Sequence, residues 1–320
     1  MTRRISLVVL GLLAAVVLPL VLVVAVAGWQ LAGLGREIEE YDRPPTADTQ
    51  ATMDAGGDMV RSMQEFAAGY PGVDWTVDGG PHRRKQEVEV HLHATVGAAE
   101  ASDIRALLEE VRARELPEAP VRLEITGQIA DRPVTVTGAD PRAWDEVEVV
   151  LGAPLPEGSR LVITLDSTPS VVIDDERPRE RECTVDRNRQ TLLADLDVSF
   201  HALRELGQHT GWSPPADPSL RITRRPCGAV MSLHDPGTGR MEQQEALADI
   251  VADIPDGLLI SGVHTNPPRG DRGAADAAGP LLLQVSPVAG GEPGHAETAE
   301  LRERVEERWP GPEVQINGRR

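Results

Sequence analysis

One order of elements recurs along this chain, and it restricts the fold more than any bulk property does. Met59, Met63, Phe66 and Tyr70 are spaced for one face of a helix, and Pro71-Gly72 stops it. "VDWTV" (73–77) then alternates with period two up to Asp78-Gly79-Gly80, and "VEVHLHATV" (88–96) is a second strand with Val88, Val90, Leu92 and Ala94 on one side. Ile104, Leu107, Leu108 and Val111 follow at i, i+3, i+4, i+7, Leu116-Pro117 closes that helix, and "VRLEITG" (121–127) returns as a strand. The unit reads αββαβ.

The same order comes back twice, with a period of roughly 80–90 residues, too long for a solenoid unit. In the second unit Asp140-Pro141 opens a helix with Trp144, Val147 and Leu151 on one face. Strands near 160–166 and 170–173, a long helix near 188–209 and a strand near 219–224 complete it. The third has Leu247, Ile250, Val251 and Ile254 on a helix, strands near 257–263 and 281–286, a helix with Leu301 and Val305, and the closing "EVQING". "YPGVDWTVDG" (70–79) and "WPGPEVQING" (309–318) are the same helix-stop and return-strand phrase, because a helix covering a sheet must stop and feed a strand back beneath itself. Strands apolar on one face only, such as Val121, Leu123 and Ile125 against Arg122, Glu124 and Thr126, predict two layers with one face wet. The expected fold class is α/β (α+β): three separate two-layer sandwiches at 58–128, 129–227 and 228–320. Two extra strands, "RPVTVTG" (132–138) and "AVMSLH" (229–234), make the second and third units βαββαβ, the ferredoxin-like order, in an alternative parse.

Ahead of these units, Ile5 to Ala27 carries no charge, and as a helix would reach ~34 Å, enough to cross a bilayer core. Arg3 and Arg4 precede it and "REIEEYD" (36–42) follows, so the positive-inside rule places the N-terminus in the cytoplasm and the remainder outside. Residues 1–34 are therefore expected as a cytoplasmic tip and transmembrane helix, with an uncleaved anchor preferred over a signal peptide cut after Ala25-Val26-Ala27. Residues 35–57 are expected as a linker, since "RPPTADTQATMDAGG" (43–57) has no apolar period. The formal charge of −19 opposes a nucleic-acid partner, and 3% aromatic residues leave few rings for stacking on bases or sugars.

Cys183 precedes the long helix of the second unit and Cys227 follows its return strand. Helix and strand reach back over similar distances, so the two ends should meet in a disulfide, the alternative being two buried free thiols. In "EVEVHLH" the polar strand face carries Glu87, Glu89, His91 and His93, and two histidines at i, i+2 can share a metal. His91 and His93 are thus candidate metal ligands, the simpler reading being a solvated strand face. Nucleophile-elbow, phosphate-loop, dinucleotide, zincin and C-x-x-C patterns are missing from the sequence, so neither a catalytic residue nor a cofactor is expected.

The αββαβ order, "WTVDGG" followed by "VEVHLHATV", and the return "LPEAPVRLEITG" resemble the BON type of bacterial envelope domain over residues 50–318. The resemblance implies tandem exported domains that attach to envelope surfaces, phospholipid among them, rather than catalyse. The expected function is that of a single-pass, membrane-anchored, extracytoplasmic interaction or scaffolding module, with envelope or membrane proteins as partners. The alternative is an extracytoplasmic hydrolase with a site between repeats.

Overall fold

The computed structural model describes residues 44–317, apart from 85, 167, 176–182, 213–218, 235–239, 266–278, 289–294 and 311–312. In chain order the elements are α1 (Ala47–Gly69), β1 (Trp75–Arg84), β2 (Glu87–Ala99), α2 (Ala101–Ala113), β3 (Val121–Ile129) and β4 (Arg132–Thr137). Next come α3 (Pro141–Val147), a 3₁₀ turn (Glu148–Gly152), β5 (Ser159–Thr164), β6 (Ser170–Asp175), α4 (Val185–Thr210), β7 (Ser219–Arg224) and β8 (Val230–His234). The last are α5 (Arg240–Ala252), β9 (Leu258–Thr265), β10 (Leu281–Pro287), α6 (His295–Arg308) and β11 (Val314–Ile316).

The eleven strands among the described residues all lie in one sheet, in sequence order from β1 to β11. Each hairpin pair is antiparallel and each pair bridged by a helix is parallel, so the two modes alternate across the whole sheet. Register keeps one apolar row in line through seven strands: Val77, Ala94, Ile125, Val136, Ile163, Val171 and Leu220. Those residues are buried, and with their neighbours they form one hydrophobic core under the helices. Period-two alternation sends the intervening residues to the opposite, uncovered face.

The helices form a single layer, with α2 against α3, α4 against both the 3₁₀ turn and α5, and α5 against α6. Successive parallel pairs run in opposite directions while their helices stay on one side, so the crossovers must alternate in hand. That departs from the strong right-handed preference of such connections.

Three expectations change here. Three separate sandwiches give way to one continuous mixed sheet with six α-helices among the described residues. The cause is β4 and β8. Each pairs on one side with the last strand of the preceding unit and on the other with the first hairpin strand of its own, leaving no free edge between units. A ferredoxin-like arrangement is excluded as well, since no strand is inserted between the partners of any helical crossover. The run Ile5–Ala27 lies outside the described residues, and no helix among the described ones is long and apolar enough to cross a membrane. The transmembrane helix expected at 1–34 thus has no counterpart among the described residues.

The start of α1 also differs from the reading of 35–57 as linker. Thr46 caps the helix by accepting from the Thr49 amide at 3.2 Å, and the Thr49 hydroxyl donates to Gln86 Oε1 at 2.9 Å. Gly56, which argued for a linker, is where the helix comes closest to the hairpin: a Cβ there would sit 3.0 Å from side-chain carbons of both Pro81 and Val90. The edge strands carry their own protection. β1 has Gly79-Gly80-Pro81 at its middle, and β11 is three residues long.

Candidate functional site

The helices leave one face of the sheet uncovered among the described residues, and its chemistry changes from one end to the other. Over β1–β3 it is charged and internally paired. His91 and His93 both lie on it, as alternation requires, but each is engaged separately. His91 Nε2 is 3.3 Å from Glu89 Oε2, and His93 Nδ1 is 4.0 Å from Glu124 Oε2. Arg122 grips the same Glu89 with two nitrogens, Nε at 3.0 Å and Nη2 at 3.1 Å. Hydrogen bonds from His91 and Arg122 hold the Glu89 carboxyl below its usual range. His82, whose side chain shares this face, lies with its ring centroid 4.3 Å from that of His91. No group of three or more His, Cys, Asp or Glu side chains among the described residues is placed to hold a metal. A guanidinium locked onto Glu89 also disfavours a divalent cation beside it.

Across β4–β6 the face turns to short side chains: Thr135, Thr137, Val162, Thr164, Ser170 and Val172. The Thr137 hydroxyl bonds Thr164 Oγ1 at 3.2 Å across the β4–β5 pair. Asp174 borders this ribbon and is neutralised by Arg160 at 3.3 Å and Arg225 at 3.0 Å.

Over β7–β9 the face becomes basic and unpaired. Register places Arg221 opposite His234, and Ser232 between Thr223 and His264. Arg221 has no ion-pair or hydrogen-bond partner among the described residues, and its Nε is buried without one. The His234 backbone amide donates to Thr265 Oγ1, and its Nδ1 lies 2.9 Å from the Thr265 carbonyl oxygen. A carbonyl only accepts, so Nδ1 carries the proton and Nε2 keeps a lone pair. Burial first, and the Arg221 charge second, push the His234 imidazole down to about 4; the same two causes lower His264. Gly262 makes room for the His264 ring and the Gln284 side chain, since a Cβ there would lie 2.5 Å from Gln284 Oε1 and 2.9 Å from His264 Nε2. Sequence reasoning missed Arg221, His234 and His264. Their polar strand parity was readable, but not that three strands from two different repeats are neighbours.

Beneath the sheet the charges are structural. Arg224 is 6% exposed and lies between Asp195 of α4, at 3.3 Å, and Asp175, at 3.9 Å. Cys183 and Cys227 meet at disulfide distance, with Cα atoms 5.8 Å apart, as their positions predicted. A groove of about 390 Å³ opens where the first and second repeats meet, lined by Arg112, Glu115, Asp140 and Asp166 among others. Arg112 is already paired with Asp140 at 3.3 Å.

Comparison with known proteins finds no matching family model, no matching curated protein and no matching solved structure.

Proposed function

We propose that this chain is a non-catalytic, extracytoplasmic interaction module, held at a membrane by its apolar N-terminal run, whose working surface is the open face of the sheet. The observation that carries the reading is a sheet whose eleven strands are, among the described residues, covered by helices on one side only. Antiparallel and mixed sheets do face water, but a face this wide, with a ribbon of Thr, Ser and Val at its middle, presents a flat and sterically accessible platform. Short β-branched and hydroxyl side chains lose little rotamer freedom when covered, which favours binding by an extended partner. The bonded cysteine pair fits an oxidising compartment, and the attachment role implied by the BON-like element order points the same way.

The test is face-dependent cross-linking. Photoreactive residues introduced into the full chain at Thr137, Thr164 and Val172 are compared in cells with probes on the helical side at Glu109 and Val198. Cross-links to envelope components from the sheet probes, but not from the helix probes, support the proposal. Equal labelling from both sides, or labelling from the helices alone, rules it out.

A further inference from the structure

We infer that Arg221 and His234 form a binding site for a phosphoryl group on the open face of β7–β8. The inference deepens the reading of that face as the working surface, but its chemistry is local and its test is separate.

An arginine side chain normally finds a carboxylate or carbonyl partner, and in a chain with a formal charge of −19 carboxylates are plentiful. Here the groups facing Arg221 from the flanking strands are Val172 of β6 and His234 of β8, with Thr223 and Ser232 one register step along. The open-face carboxylate of β6, Asp174, stands opposite Thr223 and is held by Arg160 and Arg225. Among the described residues Arg221 is therefore an unspent fork of donors on the open face, with its Nε already out of water.

The His234 imidazole selects the type of anion. His234 donates through Nδ1 to the Thr265 carbonyl and so offers an acceptor at Nε2. A fully ionised anion such as sulfate would meet that lone pair with repulsion. Hydrogen phosphate, the dianion with one P–OH, or a phosphate monoester carrying one proton, presents oxygens to the guanidinium and a P–OH that donates to Nε2. The hydroxyls of Ser232 and Thr223, 3.5 Å apart, supply further donors in the adjacent row. The site thus carries one positive charge and one acceptor, the complement of a singly protonated phosphoryl group. Inorganic phosphate and a lipid phosphate monoester share this chemistry.

The full chain, solubilised in a maltoside detergent near neutral pH, is titrated with inorganic phosphate while the imidazole resonance of His234 is followed by NMR. A saturable shift of His234 is expected, with sulfate binding several-fold more weakly. Arg221→Gln should weaken phosphate binding by at least about tenfold, because the fork supplies two charge-assisted hydrogen bonds. Arg221→Lys, which keeps the charge without the fork, should fall between the two. The His91 and His93 resonances in the same spectra serve as the folded reference and should not move. Mixed micelles containing phosphatidate, compared with phosphatidylcholine, decide the source. Tighter binding to phosphatidate than to inorganic phosphate assigns a lipid headgroup, and equal binding assigns free phosphate. Absence of saturable shifts, equal binding of sulfate, or an unchanged titration in Arg221→Gln overturns the inference. None of these outcomes depends on whether the sheet probes cross-link, so the two proposals fail separately.

Discussion

Between β3 and β4 the chain reverses through only two residues, Ala130 and Asp131, both at positive φ, as a type I′ hairpin requires. Between β7 and β8 it reverses through Arg225–Ala229, with Gly228 at φ 74°. These are the two places where one repeat becomes the next, and the helices above them are fastened differently. At the first, Arg105 pairs with Asp145 and Arg112 with Asp140 on half-exposed surface, and the buried Trp144 donates its indole N–H to the Ala101 carbonyl at 3.2 Å. At the second, Asn188 is buried and reaches from α4 to two other segments. Its Nδ2 donates to the carbonyls of Cys227 at 2.6 Å and Ile260 at 3.0 Å, while its Oδ1 accepts from the Ile260 amide at 3.2 Å. Arg189 adds a bond to the Ile254 carbonyl at 2.5 Å, and the cysteine bridge closes the same corner. A two-residue turn fixes register by itself, so the first junction needs little else. A longer turn leaves more freedom, and the second junction removes it with buried polar bonds and a covalent link.

The contrast can be broken by measurement. Cys227→Ser should cost the most. Opening a loop of 44 residues removes about 4 kcal/mol in the chain-entropy account, read as a lower denaturation midpoint, with faster amide exchange centred on the β7–β8 turn. Asn188→Ala should cost about 3 kcal/mol, because it strands the Ile260 amide and the Cys227 carbonyl in the core. Its exchange signature should be faster Ile260 exchange with β1–β6 unaffected. Smallest should be Arg105→Ala at the first junction, no more than about 0.5 kcal/mol, because half-exposed ion pairs contribute little. A double-mutant cycle with Asp145→Ala isolates that coupling. If Arg105→Ala proves as costly as Asn188→Ala, the two junctions are held alike and the comparison fails.

Much of the element plan was legible in the sequence. Period-two alternation located β2 and β3, the i, i+3, i+4, i+7 pattern located α2, and the placement of Cys183 and Cys227 around one helix-and-strand excursion anticipated their meeting. Neighbour relations were not legible. "RPVTVTG" and "AVMSLH" were visible as strands, but periodicity carries no information about which edge a strand joins, and that choice separates three small sheets from one large one. The beginning of α1 was obscured because Gly56-Gly57 disfavours a helix locally, while tertiary contact with Pro81 and Val90 favours it. The basic cluster escaped for the first reason again. Arg221 and His234 come from one hairpin and His264 from the strand beyond a helix, so only the sheet order assembles them.

Because every strand hydrogen-bonds only to the strands before and after it in the chain, contact order stays low for a sheet of this width. Each segment emerging from a ribosome or a translocation pore meets a partner that is already laid down, and no early strand waits exposed for a late one. Growth can stop at the end of any repeat without orphaning an interior strand, which makes the length of such a platform adjustable by adding or deleting whole hairpin-and-helix modules.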